Sequence, residues 1–182
     1  GYSSAASDVY KRQDLDGIYI SGGEPLMHEG VVSFLQYAKT LNYKIKIHTN
    51  GMFYERLKTI LAQKLVDHVS LDIKNAPSAY AKTCGVEDMD LKDIEKSLDL
   101  LKQSVVPYDI CVTLVDELHN QATIEELGQW IQGVDTVILQ PFEDSETTID
   151  HSLHRPSFEV VLKYKKIFEK YVKHVKIRGD QA

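Results

Sequence analysis

The sequence predicts an α/β domain of parallel strands whose functional groups gather at the C-terminal ends of those strands. Three observations predict it. Short runs rich in β-branched residues alternate with runs whose apolar residues recur at i, i+3 and i+4. The links between them are short, which favours parallel strands joined by right-handed crossovers. The polar and glycine-rich clusters fall just after the strand-like runs, the rim at which barrel-like α/β folds bind ligands.

Taken in order, Gly17-Ile18-Tyr19-Ile20 reads as a short strand. A helix follows over 29–41, with Val32, Leu35 and Tyr37/Ala38 towards its buried side. Residues 43–48 alternate Lys44/Lys46 against Ile45/Ile47 as a strand and break at Asn50-Gly51. A helix over 53–64 spaces Leu57, Ile60 and Leu61 on one face, and 67–74 is a strand through Val69, Leu71 and Ile73. A loop containing Pro77 and Gly85 leads to a helix over 90–103 with Leu91, Ile94, Leu98 and Leu101 in register. The strand 108–115 precedes a helix over 123–132 that Thr123 and Glu126 would open as a capping box. A strand at 136–139, a helix at 157–171 and a strand at 175–177 complete the series. No linker, repeat or low-complexity tract interrupts it.

The composition is that of a globular chain: 182 residues, 43% hydrophobic and 26% charged. A net charge of -6 without a basic cluster argues against nucleic acid as a partner. No apolar run approaches the roughly 20 residues of a spanning helix, and no signal-peptide pattern opens the chain. The two cysteines, Cys84 and Cys111, fit no metal or redox spacing. No membrane association and a reducing, cytoplasmic setting are therefore expected. Residues 3–13, SSAASDVYKRQ, can be written in codons as one reading frame of the transposase adapter used for DNA sequencing libraries. Residues 1–13 are accordingly expected to be a non-native tail, with the native sequence starting mid-gene near Asp14 and a core over 14–182.

The unusual residues are Ser21-Gly22-Gly23-Glu24-Pro25, His48-Thr49-Asn50-Gly51, Asp72-Ile73-Lys74, Thr113 and Gln140-Pro141-Phe142. Gly22 and Gly23 offer backbone without Cβ, either for a ligand to lie against or for a tight turn. Pro25 forces Glu24 out of the helical region, so its carboxylate or carbonyl can aim into the mouth at an ammonium group. Asp72 and Lys74, two apart on a strand, share a face and could hold the two ends of a zwitterion; a solvated ion pair is the alternative. His28, His68, His119 and His174 are isolated and read as surface or half-buried residues. His151 and His154 lie three apart in a loop without further metal ligands nearby. Cys84 has no neighbouring base, and Trp130 reads as core.

The ordered set of motifs resembles the radical S-adenosylmethionine (SAM) enzymes. Ser21 to Leu26 is similar to their GGE motif. His48 to Gly51 and Val69 to Lys74 resemble the D-T-N-G and L-D-I/L-K segments of enzymes that activate glycyl-radical proteins. Thr113-Leu114-Val115 through His119, Ile138 to Phe142 and Lys176 to Gly179 continue the match. The pattern is most similar to the activating proteins of anaerobic ribonucleoside-triphosphate reductase, with pyruvate formate-lyase activase a near relative.

The resemblance implies a partial (β/α)6, TIM-like barrel with SAM across the strand ends. It implies SAM and a [4Fe–4S] cluster as cofactors, a glycyl-radical enzyme as protein substrate, and an electron donor such as flavodoxin or ferredoxin. Gly22, Gly23 and Glu24 would hold the methionine amino end. Thr49, Asn50, Asp72 and Lys74 would serve the carboxylate and ribose side, with a monovalent cation in some relatives, and His48 is counted with the cofactor-binding residues. Gln140 and Phe142 would line the adenine. Three departures stand out. The C-x3-C-x2-C loop for the cluster is absent, so the expected barrel lacks its first strand and cluster loop, and the chain alone is expected to be inactive. His48 replaces an acidic residue that often serves the cation. Cys111 replaces an arginine, either losing a SAM contact or acting as a small buried residue. Two alternatives stay open: another short radical SAM enzyme (a deazaguanine synthase or peptide maturase), or a cluster-free barrel that binds a nucleotide or a partner.

Overall fold

A computed structural model describes residues 17–179; the expected non-native stretch at 3–13 lies outside them. The elements are β1 (Gly17–Ile20), a 3-10 turn (Pro25–Met27), α1 (Val31–Thr40), β2 (Lys44–Thr49), α2 (Tyr54–Ala62), β3 (His68–Asp72) and α3 (Pro77–Thr83). They continue with α4 (Lys92–Gln103), β4 (Tyr108–Leu114), α5 (Gln121–Trp130), β5 (Thr136–Pro141), α6 (Phe158–Glu169) and β6 (His174–Ile177). The chain divides into two compact units. One holds the described residues up to Asp72 together with Leu91–Tyr108; the other holds Ile73–Asp90 and the residues from Asp109 onward.

In the first unit β1, β2 and β3 pair side by side, all parallel, with Ile18 opposite Ile45 and Ile47 opposite Val69. Strand alternation sends Ile45, Ile47 and Thr49 to the buried side and Lys44, Lys46 and His48 to the other. On α1, Val31, Leu35 and Ala38 are buried at i, i+4 and i+7, whereas Tyr37 is exposed, contrary to expectation. The helix starts at Val31 rather than Glu29 because Pro25 builds a separate 3-10 turn and Gly30 takes the cap. Leu57 and Ile60 of α2, and Ile94, Leu98 and Leu101 of α4, are buried on helices that pack together. Each such side chain contributes about 1.5–3 kcal/mol on burial. That burial decides whether α4 forms, because a helix of 12 residues is marginal alone. At the other end of the strands, the Asp67 carboxylate accepts from Lys39 Nζ at 2.6 Å and the Ile45 amide at 2.8 Å, tying α1 and β2 to the start of β3.

In the second unit β4, β5 and β6 pair in parallel, with Val112 opposite Leu139 and Leu139 opposite Ile177. Ile110, Val112 and Leu114 alternate with Asp109, Cys111 and Thr113 along β4. The expected loop around Pro77 is instead the short helix α3: proline at its first position needs no partner for an N–H, and Tyr80 is buried edge-on to Trp130 at 6.0 Å. Trp130 itself is half-buried, not core. The cap of α5 is also corrected. Asn120, not Thr123, is the N-cap; its Oδ1 accepts from the Thr123 amide at 2.9 Å, and Thr123 Oγ1 accepts from the Asn120 amide at 3.0 Å. Gly128 on α5 leaves room for the Tyr171 ring, which would lie 2.5 Å from a Cβ there.

Candidate functional site

Glu24 is the hub of the first unit's strand-end loops. Pro25 holds it extended, at φ -62 and ψ 111. Its Oε2 accepts from the Leu26 amide at 2.9 Å and from Thr49 Oγ1 at 2.8 Å, and its Oε1 accepts from the Asn50 amide at 2.7 Å. Three donors occupy most of the roughly four lone-pair positions of a carboxylate. Glu24 therefore fastens the loop after β1 to the end of β2. Its carbonyl is engaged as well, by the Met27 amide at 3.3 Å. Arg56 of α2 adds a bond from Nη1 to the Leu26 carbonyl at 2.7 Å.

The loop so fastened carries Gly22 and Gly23. Gly22 has φ +99, a conformation that favours glycine, and a Cβ built on either residue would meet nothing within 4 Å. The protein itself does not require the clearance at Gly23, and the exposed backbone there is open to a ligand.

Thr49 and His48 part company. Thr49 is fully buried with its hydroxyl on Glu24, whereas His48 is half-buried on the opposite strand face, its Nδ1 3.2 Å from Tyr19 Oη. His48 stands beside Ser70 in register, and Asp72 follows two residues later on that same face. Asn50 caps its own turn, with Oδ1 accepting from the Met52 amide at 2.9 Å. Gly51 has φ +78, and a Cβ there would come within 2.8 Å of Leu71 Cδ1 and 3.5 Å of Ser97 Cβ; Ser97 Oγ donates to its carbonyl at 2.8 Å. Gly22, Gly23, Glu24, Thr49 and Asn50 thus form one connected set, with His48 and Asp72 on the polar face of the same three strands.

The remaining candidates lie in the second unit. β3 ends at Asp72, so the alternation expected to carry Lys74 onto the same face stops before it. Lys74 is exposed, yet both its main-chain groups are held: its amide donates to Tyr80 Oη at 3.1 Å and its carbonyl accepts from His119 Nε2 at 2.9 Å. Gln140 is exposed at the end of β5, beside Thr113. Phe142 donates its amide to the Leu114 carbonyl and lines a cavity of about 460 Å³ with Leu153, Glu143, Asp144, His154 and Arg155.

His119 was missed by sequence reasoning, which took it for a surface or half-buried residue. It is 4% exposed, and burial pushes its pKa below the usual histidine value. The loop histidines each bind a carboxylate: His151 with Asp144, His154 with Glu117. The hydrogen bond and charge of Glu117 raise the pKa of His154, and that bond in turn lowers the pKa of Glu117.

Among the described residues no group of three or more His, Cys, Asp or Glu is arranged to hold a metal. Cys84 is exposed, and Cys111 is buried with its thiol donating to Asp109 Oδ1 at 3.3 Å. Two cysteines in the whole sequence do not fit a cluster that needs three thiolates, so no step through such a cluster is derived for this chain. No helix among the described residues is long and apolar enough to cross a membrane.

The family model of the radical SAM superfamily matches residues 5–131. A protein of Methanocaldococcus jannaschii named as a glycyl-radical enzyme activating enzyme is 30% identical over 169 residues, covering 90% of this chain and 70% of its own length. Among solved structures, a domain of pyruvate-formate lyase-activating enzyme from Bacteroides vulgatus superposes with a TM-score of 0.72 at 18% identity. That match covers 90% of this chain and 99% of the domain. A radical SAM methyltransferase from Sphaerobacter thermophilus gives 0.70 at 16% identity, over 97% of this chain and 55% of its own. These likenesses establish the α/β, partial TIM-like fold read from the sequence, and the superfamily implies SAM and a [4Fe–4S] cluster as its cofactors. The chain belongs to the radical SAM superfamily and resembles its glycyl-radical enzyme activating members.

Proposed function

We propose that this chain is the SAM-holding part of an activating enzyme that installs a glycyl radical on a partner enzyme, with anaerobic ribonucleoside-triphosphate reductase as that partner. The observation that carries the reading is the three-donor hub at Glu24, which fixes the open Gly22-Gly23 backbone against the end of β2. SAM would supply the alkyl radical that takes a hydrogen atom from a glycine only in an enzyme that also holds the reducing cluster, which the two cysteines of this chain do not fit. The chain's own residues bind and orient. The Gly22 and Gly23 backbone receives the amino-acid end, and Glu24 and Thr49 hold that loop in place. Asn50 and Asp72, in the same unit, serve the carboxylate and ribose side. His48, at the position considered for a cation, has its Nδ1 3.2 Å from Tyr19 Oη. Reduction falls to a flavodoxin- or ferredoxin-type donor in the cytoplasm.

The test is a titration of the 182-residue chain with SAM, followed by amide chemical shifts. Saturable shifts at Gly22, Gly23 and Asn50 with SAM, and none with ATP, are expected. ATP binding equal to or tighter than SAM favours the cluster-free nucleotide-binding barrel and rejects the proposal. Stoichiometric [4Fe–4S] uptake on anaerobic reconstitution would contradict the cysteine reading.

A further inference from the structure

Lys64 stands where a lysine strains the backbone. Helix α2 closes in a two-bond turn: the Leu65 amide donates to the Ile60 carbonyl at 2.9 Å and the Lys64 amide to the Leu61 carbonyl at 3.1 Å. That turn needs a left-handed residue at its centre, and Lys64 supplies it with φ 57. The same turn closes α3, where the Gly85 amide donates to the Lys82 carbonyl and the Val86 amide to the Ala81 carbonyl. There glycine takes the left-handed position, with φ 76. Glycine adopts that conformation freely and lysine does not. The Lys64 side chain is exposed, so no core packing offsets the strain.

Lys64 instead lines a cavity of about 360 Å³ at the N-terminal ends of β2 and β3, together with Lys39, Asn42, Lys44 and Gln63. Asn42 is the left-handed residue that follows α1, with φ 62, so both helices end at this cavity. No acidic side chain lines it, in a chain whose net charge is -6. The nearby Asp67 carboxylate accepts from Lys39 Nζ at 2.6 Å and lies 3.9 Å from Lys44 Nζ, so one negative charge stands against three positive ones. The Lys64 ammonium has no hydrogen bond or ion pair among the described residues. Gln63 Oε1 accepts from Gln36 Nε2 at 2.9 Å, which leaves the Gln63 NH2 group as a donor. Ammonium groups and amide donors gathered around one small cavity suit a compact ligand that carries several negatively charged oxygens. We propose that this cavity is a binding site for a small polyphosphate anion, with Lys39, Lys44 and Lys64 as its cationic wall. A lysine near a helix C-terminus can also serve the helix dipole, and the test separates the two roles.

The whole chain is titrated with inorganic tripolyphosphate at low salt and followed by amide chemical shifts. Saturable shifts centred on Asn42, Lys44, Gln63 and Lys64, weakening as salt is raised, are expected. Shifts that do not saturate, or that spread equally to lysines elsewhere such as Lys96 and Lys163, overturn the proposal. Lys64→Gly relieves the left-handed strain and removes the ammonium. Its affinity for tripolyphosphate should fall about tenfold, the loss of one charge-assisted hydrogen bond, while its urea midpoint holds or rises. Unchanged affinity overturns the proposal, and so does a lowered midpoint, which would assign Lys64 to the helix dipole. Lys44→Ala, at a side chain 80% exposed, should weaken the complex without disturbing the fold; parent-like affinity there also overturns the proposal. Polyglutamate binding more tightly than tripolyphosphate would point to an acidic polypeptide instead and overturn it. These residues stand at the opposite end of β2 from Thr49 and Asn50, so the readout is separate from that of SAM. Tripolyphosphate binding without SAM binding would reject the proposed function and leave this site standing.

Discussion

Replacing Glu24 by glutamine tests the strand-end hub directly. Glutamine keeps one carbonyl oxygen but turns the other acceptor into a donor. The NH2 group then faces the Asn50 amide if it takes the place of Oε1, or both the Leu26 amide and the Thr49 hydroxyl if it takes the place of Oε2. Hydrogen bonds to a charged group contribute about 1.5–3 kcal/mol, and a donor left unsatisfied costs about 1–3 kcal/mol. Glu24→Gln should therefore destabilise the chain by about 2–3 kcal/mol. Thr49→Val removes the fully buried hydroxyl and its bond to the same carboxylate, at a similar cost of about 1.5–3 kcal/mol. Because the two share one contact, the double variant should fall short of the summed losses by about 1–2 kcal/mol. Urea unfolding at neutral pH measures all three, provided the slope with denaturant is unchanged. A Glu24→Gln loss under about 0.5 kcal/mol, or strict additivity of the pair, would refute the hub.

Gly51→Ala should cost about 1–3 kcal/mol in the same assay, since φ +78 strains an alanine and its Cβ would press on Leu71 at 2.8 Å; a neutral result would show that the turn relaxes freely. Asp67→Asn addresses pH. Burial pushes the Asp67 carboxyl up, but the Lys39 and Ile45 hydrogen bonds and the charges of Lys39 and Lys44 outweigh it and hold the pKa below the usual aspartate value. A depressed carboxyl contributes stability above its unfolded-state pKa and loses it as pH falls through the folded one. The gap between parent and Asp67→Asn should accordingly be full at neutral pH and narrow on acidification below the ordinary aspartate range. A gap that widens with acid would invert the assignment.

The parallel-strand plan was legible because period-2 runs such as 44–49 and period-3.6 runs such as Leu57, Ile60 or Ile94, Leu98, Leu101 are unambiguous at that length. The helix at Pro77–Thr83 was not, because seven residues opened by Pro-Ser carry too little periodicity to outweigh the turn signal. The α5 cap was misplaced for a related reason: Thr123/Glu126 and Asn120/Thr123 both satisfy a four-residue capping pattern, and only the backbone chooses between them. Of the site, the chemistry-bearing residues were visible as motifs, but their directions were not. Thr49 and His48 turn to opposite faces, as alternation demands, and the Glu24 carboxylate turns inward to donors that a local reading cannot see. His119 escaped notice because its meaning lies in a carbonyl 45 positions away.

The Glu24 hub has a consequence for how portable the Ser-Gly-Gly-Glu-Pro motif can be. Two of its three donors come from 25 and 26 residues downstream. A nascent chain carrying only the first strand and its loop has no means of shaping the glycine backbone, and a short peptide of that sequence would sample many conformers. The cradle comes into being only when β2 docks beside β1, so competence to take a ligand there is inherited from sheet assembly and not from the five letters themselves.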